Sequence, residues 1–296
     1  MAIRAGHFGS AKAREKFVAA YRAAEALYPI PWRDLEVSTS YGPTYVRSSG
    51  NGTGTPLVLI HGFQGNSLMW SPVIERLARR RTVYVPDIIG TPGRSVQTEP
   101  IVRGAEMARW LGEVLTGLEL SRAHLVAFAH GGRLAGMLAG QSDIPASLTL
   151  IEPGSVLVPV RTVLLARMVL AGIRPTFGRT RRLLAHLQPG TPITREDAEL
   201  ATAATPFRMS LPYARVLADA DLAAIATPTL VLCGGGTVLY DPAAAVARAR
   251  AVIPNVETEV FPEVSHGLLA EVPRSAATRL LQFTALHDLR VPRATA

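Results

Sequence analysis

The sequence holds one cysteine, Cys233, so no disulfide can form within the chain, and a reducing, cytoplasmic setting is the expectation. Lysine is almost missing: Lys12 and Lys16 are the only two, and the net charge of +8 comes from arginines scattered singly through Ala-rich sequence. No platform of interleaved basic and aromatic residues and no base-reading helix accompanies that charge, which argues against a nucleic-acid partner. Long apolar runs are also lacking. The greasiest stretch, Ser155 to Ile173, is interrupted by Pro159, Arg161 and Arg167, so no membrane span is expected. The first residues are mixed and charged, without the apolar segment of a secretion signal. No His, Cys, Asp and Glu share metal-ligand spacing, and the glycine runs lack the Lys-Ser/Thr of a phosphate loop. Neither a metal nor a cofactor is expected.

What remains is a globular chain of 296 residues, 48% hydrophobic, long enough for one α/β domain with an insertion. "LEVSTSYGPTYVRSSG" alternates on either side of Gly42-Pro43 and reads as a β-hairpin. "TPLVLIHGF", "RTVYVPDII", "RAHLVAFA", "ASLTLIEP" and "TPTLVLCGG" are short continuous apolar runs, most of them separated by helical sequence. That alternation implies a parallel sheet covered on both faces, with ligands bound beyond the carboxyl ends of its strands. Polar and glycine-rich residues follow each run: His61-Gly62-Phe63-Gln64-Gly65, "DIIGTPGRS", Glu152-Pro153, Gly234-Gly235-Gly236-Thr237, and, after "VETEVFPE", Ser265-His266-Gly267. Between residues 153 and 226 the rhythm lapses into helical, Arg- and Leu-rich sequence, read as an inserted helical lid. Residues 1–152 and 227–296 then form the core. The expected fold is α/β: a doubly wound, mostly parallel eight-stranded sheet with that lid.

The run "LVAFAHGGRLAG" reads as a strand turning sharply into a helix, the geometry with which serine hydrolases expose a nucleophile. Ser, Cys or Asp is expected at the apex, and this chain has Ala129. Five motifs stand in one order: "LVLIHGF", "PDIIGTPGRS", "LVAFAHGG", "PTLVLCGGGTVLYDP" and "VSHGLLAEVP". In that order they resemble the α/β-hydrolase superfamily, from about Leu35 to Leu286, and "DIIGTPGRS" with "VLYDP" resembles its bacterial carboxylesterase-like branch. Carried over by position, the resemblance puts the nucleophile at Ala129, the acid at Thr237 and the base at His266. Only the histidine survives.

Ala129 offers no lone pair, and Thr237 cannot offset an imidazolium, so the chain as it stands is not expected to form an acyl-enzyme. Glu152, at the end of the strand after the elbow, is the candidate substitute acid; the competing reading is an edge carboxylate paired with an arginine. Backbone N–H groups of Phe63 and His130 are expected to form an oxyanion pocket. Gln64 and the lid residues Leu157, Leu164 and Met168 are expected to touch a small to medium, largely apolar substrate, with Arg161, Arg167 and Arg174 leaving room for an acidic group on it. Asp87 is read as holding its loop, Asp241 as a helix N-cap, and Cys233 as a small core residue.

Three functions fit these residues. The first is an ester, thioester or lactone hydrolase with its serine replaced. The second is a non-hydrolytic enzyme using His266 as acid and base in an elimination, cyclisation or rearrangement. The third is a ligand-binding pseudoenzyme.

Overall fold

The computed structural model describes residues 5–173, 175–211 and 216–288. Its strands run in chain order as β1 (His7–Phe8), β2 (Arg33–Thr39), β3 (Gly42–Ser49), β4 (Leu57–Ile60), β5 (Val83–Pro86), β6 (Ala123–Phe128), β7 (Pro145–Ile151), β8 (Phe207–Arg208), β9 (Thr229–Gly234) and β10 (Val256–Phe261). Eight of them make one sheet in the order β10-β9-β7-β6-β4-β5-β3-β2. The β2–β3 and β3–β5 pairs are antiparallel, and the others are parallel. This is the α/β architecture expected from the apolar runs, each of which became a strand.

The hairpin differs from expectation at its tip. Thr39 pairs with Gly42, so Ser40 and Tyr41 make the turn, and Gly42-Pro43 open the second strand. Gly42 sits at φ 123°, where a Cβ would press on the Val96 carbonyl. The glycine is needed for that close approach rather than for the turn itself.

The helices are α1 (Ala11–Glu25), α2 (Ser71–Ala78), α3 (Gly104–Gly117), α4 (Gly131–Ala139), α5 (Thr162–Ile173), α6 (Phe177–Leu187), α7 (Arg195–Ala204), α8 (Asp219–Ala223), α9 (Pro242–Val252), α10 (Leu268–Glu271) and α11 (Pro273–Leu286). Strand alternation divides the core between the two faces of the sheet. Val58, Ile60, Leu125 and Ala127 pack with Trp110 of α3 and Leu134 of α4. Leu57, Leu59 and Val126 pack with Phe17 of α1, Ile74 of α2 and Phe283 of α11. Asp241 caps α9, accepting from the Ala243 and Ala244 N–H groups at 3.0 and 3.1 Å, with Pro242 in the first turn.

The segment between β7 and β9 carries α5 to α8. It is tied to the N-terminus by the antiparallel pairing of β8 with β1 and by packing of α7 against α1.

At the amino ends of the parallel strands, Asp288 receives both terminal nitrogens of Arg81 at 2.6 Å, and its Oδ1 lies 3.2 Å from His124 Nε2. His124 Nδ1 is 2.8 Å from Ser147 Oγ on β7. This chain of polar contacts ties the end of α11 to the sheet. Asp288→Asn leaves the nearly buried Arg81 guanidinium without its charge partner, so a loss of about 1–3 kcal/mol in unfolding free energy is expected. Urea unfolding measures it, and an unchanged midpoint would show that the contact contributes nothing.

Candidate active site

Loops beyond the carboxyl ends of β4, β6, β7, β9 and β10 gather the chemically distinctive residues. The sharpest is the turn from β6 into α4. Ala129 has φ 46°, a left-handed conformation that costs a non-glycine residue about 1–2 kcal/mol. Two backbone bonds hold it there: its N–H donates to the Ile151 carbonyl at 2.8 Å, and its carbonyl accepts from Gly132 N–H at 2.9 Å. Gly131 follows because a Cβ there would lie 2.4 Å from the His61 carbonyl oxygen. A Cβ on Gly62 would lie 3.6 Å from the Ala129 methyl, so the β4 loop sits directly against the elbow. The elbow geometry is complete, and a methyl group occupies its apex.

Glu152 lies just past β7 and is fully buried. Three donors converge on its carboxylate: Gly234 N–H at 2.5 Å and Tyr240 O–H at 3.2 Å on Oε1, and His266 Nδ1 at 3.0 Å on Oε2. A carboxylate without a proton can only accept, so this contact puts the imidazole proton on Nδ1 and leaves Nε2 as the basic nitrogen. Burial, and then the neighbouring Glu152 charge, push the Tyr240 phenol far above its ordinary pKa, so it stays a donor. Gly234 is required here, since a Cβ would meet the Val264 and Ser265 carbonyls.

The histidine loop is fixed from below. Glu271 accepts from Ser265 N–H at 2.8 Å and from the Ser265 hydroxyl, while Gly236 N–H donates to the Val264 carbonyl at 2.9 Å. The His266 ring packs on Phe128, with centroids 5.0 Å apart, and its side chain is 17% exposed, open enough for a ligand to reach.

Thr237 directly follows the three glycines after β9 and is buried, but it serves a different partner. Its Oγ1 accepts from Leu239 N–H at 3.4 Å, and among the described residues it makes no hydrogen bond to His266. Phe63 and His130 face one another edge to face at 5.9 Å, and among the described residues neither backbone N–H has a protein acceptor. Phe63 and Gln64 are exposed, and Gln64 has φ 54°. Leu157 and Leu164 are buried within the core on the α3–α4 face, and Met168 packs half-buried against it. Arg161 and Arg167 are exposed, and Arg174 lies outside the described residues. The residue that sequence reasoning missed is Tyr240. It stands beside Asp241 in "VLYDP", and a buried tyrosine in the loop next to a candidate carboxylate was the available signal.

Two further histidines frame the site. His61 donates from Nδ1 to the Gly62 carbonyl and accepts at Nε2 from Ile88 N–H, each at 2.8 Å, which locks it neutral. His130 is buried, and among the described residues neither of its ring nitrogens has a hydrogen-bond partner. Asp87 holds its loop, accepting from Ser67 N–H and Arg94 N–H at 2.7 Å each.

Burial is the main reason that His124 and His130 fall to about 4 from 6.5, and it also lowers His61. The unfolded chain therefore binds more protons than the folded one between about pH 4 and 6.5, and stability falls as pH drops through that window. The loss expected at pH 5 is on the order of 2 kcal/mol for each of His124 and His130. Urea midpoints at pH 7, 6 and 5 test this, and a flat profile contradicts it.

This geometry agrees with what known proteins share with the chain. Residues 57–279 match the alpha/beta hydrolase family. The chain belongs to that family. It is 26% identical to the carboxylesterase YbfK of Bacillus subtilis over 285 residues, covering 93% of this chain and 96% of that one. It is also 26% identical over 287 residues to the uncharacterized carboxylesterase nap of the same organism, covering 90% and 92%. The crystal structure of naproxen esterase from Bacillus subtilis superposes with a TM-score of 0.84 at 23% identity, covering 93% of this chain and 99% of that one. Among the described residues no helix of this α/β hydrolase is long and apolar enough to cross a membrane.

Proposed function

We propose that this α/β hydrolase binds a small to medium, largely apolar ester, thioester or lactone and acts on its carbonyl through His266 as general base and acid, without an acyl-enzyme. The observation that carries the reading is the 3.0 Å contact of buried Glu152 with His266 Nδ1, an oriented base beside an elbow that has no nucleophile. Likeness to carboxylesterases over 90% and 93% of the chain supports the carbonyl substrate class.

In this reading His266 Nε2 takes a proton from water as the water oxygen attacks the carbonyl carbon. The Phe63 and His130 N–H groups stabilise the negative charge developing on the carbonyl oxygen. Collapse breaks the acyl–oxygen or acyl–sulfur bond, and the imidazolium returns its proton to the leaving group. The Glu152 carboxylate keeps accepting from Nδ1–H and stabilises the imidazolium. The substrate's apolar part lies along Gln64 and the half-buried Met168, with residues 153–226 as a lid; Leu157 and Leu164, buried in the core, hold that lid to the body.

A second reading, a serine hydrolase whose serine has been replaced by Ala129, is favoured by the strained φ of 46° kept at a residue with nothing to expose. A paired assay of the chain and its Ala129→Ser variant on short esters, thioesters and lactones tests both. Turnover by neither form overturns the carbonyl-substrate assignment and leaves a ligand-binding role.

A further inference from the structure

From Pro153 to Arg195 the sequence contains no Asp or Glu, while arginines recur along it. Helix α5 has two unlike faces. Leu164 is buried and Met168 half-buried against the core, whereas Val163, Ala166, Leu170 and Ile173 recur at helical spacing on the outside. Val163, Leu170 and Ile173 are 67, 64 and 67% exposed, so one helix presents three large apolar side chains to solvent. Val169 and Phe177 widen the stripe to 57 and 42% exposed neighbours. Exposed arginines accompany it: Arg161 just before α5, Arg167 on α5, and Arg181 and Arg182 on α6. Their known contacts are local. Arg167 Nη1 lies 3.0 Å from His186 Nε2, and Arg182 Nε donates to the Gly178 carbonyl at 3.1 Å. Glu152, one residue before the segment, is buried, and the acids after it begin on α7, where Glu199 is engaged by Arg195 at 2.7 Å.

We propose that the outer face of α5 and α6 docks on an anionic lipid surface, with the α5 stripe in the acyl boundary and the arginines on the headgroups. An apolar stripe accompanied by cations, on a segment that carries no Asp or Glu of its own, fits a surface that is apolar below and negatively charged above. Long arginine side chains can lay their stems along the apolar layer and keep the guanidinium at headgroup level. A second copy of this chain fits less well. Pairing the stripe with itself would bring two sets of arginines together with no carboxylate from this segment to offset them. The docking is peripheral and separate from the chemistry at His266.

The test is sedimentation of the full chain with vesicles of phosphatidylcholine alone or mixed with phosphatidylglycerol. Binding is expected only to the mixed vesicles and should weaken steeply as salt is added. Arg181→Gln and Arg182→Gln should each lower partitioning about five-fold. Leu170→Ser with Ile173→Ser should lower it roughly ten-fold or more. All four positions are exposed, and an unchanged thermal midpoint confirms that the variants fold. Equal binding to neutral vesicles, no binding to either, or unaltered binding by the serine variant overturns the proposal. So does a lipid-free dimer, measured by light scattering, that the same two serines dissolve.

Discussion

Ala129→Ser is expected to raise hydrolysis of a short acyl ester by roughly 10³-fold or more, since removing a triad serine costs on the order of 10⁶ in turnover. The surroundings already suit a hydroxyl. The elbow is held at φ 46° by the Ile151 and Gly132 bonds, and His266 has its proton assigned to Nδ1 by Glu152. The new Oγ should stand within hydrogen-bond reach of Nε2, roughly 2.6–3.2 Å. An acyl-enzyme should then appear by mass spectrometry in the serine form alone, and His266→Ala in that background should abolish it. Should the Ala129 form turn over a substrate of its own that the serine leaves unchanged, with His266→Ala abolishing turnover, the acid–base reading stands and the replaced-serine reading falls. A serine form that neither hydrolyses nor acylates, like the Ala129 form, would overturn the carbonyl-substrate assignment.

The parallel strands were legible because strands buried on both faces leave continuous apolar runs, and each run here is followed by a polar loop. The elbow was legible too, because small residues around an apex are needed wherever a helix starts against a neighbouring loop. Gly131 against the His61 carbonyl is that constraint in atoms. Other features depend on partners far apart in sequence and leave no local pattern. Glu152 and Tyr240 are separated along the chain and meet only when β7 and β9 pair. The pairing of β1 with β8 joins two-residue strands too short for any periodicity. The Asp288, Arg81, His124 and Ser147 chain is equally silent, since each residue alone reads as an ordinary polar position. The two faces of α5 were half-visible: Leu164 and Met168 read as facing a substrate under the lid, but only burial separates Leu164 from Leu170.

Glu152→Gln in the Ala129→Ser background is expected to lower kcat by on the order of 10⁴, the loss seen when a triad carboxylate becomes an amide. The geometry explains the size. Gly234 N–H and Tyr240 O–H both donate to Oε1, so the oxygen of the substituted amide would have to face them. Its NH₂ group would then face His266, and a donor there forces Nδ1 to accept and moves the ring proton to Nε2. That tautomer cannot take a proton from the serine. Because side-chain size and the two Oε1 bonds are kept, the thermal midpoint should move much less than the activity does. A stability loss matching the activity loss would instead assign Glu152 a purely structural role. Thr237→Asp separates the two acid positions in the same assay. With Glu152 already on Nδ1 and Thr237 Oγ1 turned to the Leu239 N–H, the added carboxylate should bring no gain in kcat. A large gain would move the acid to the loop after β9 and overturn the assignment of Glu152.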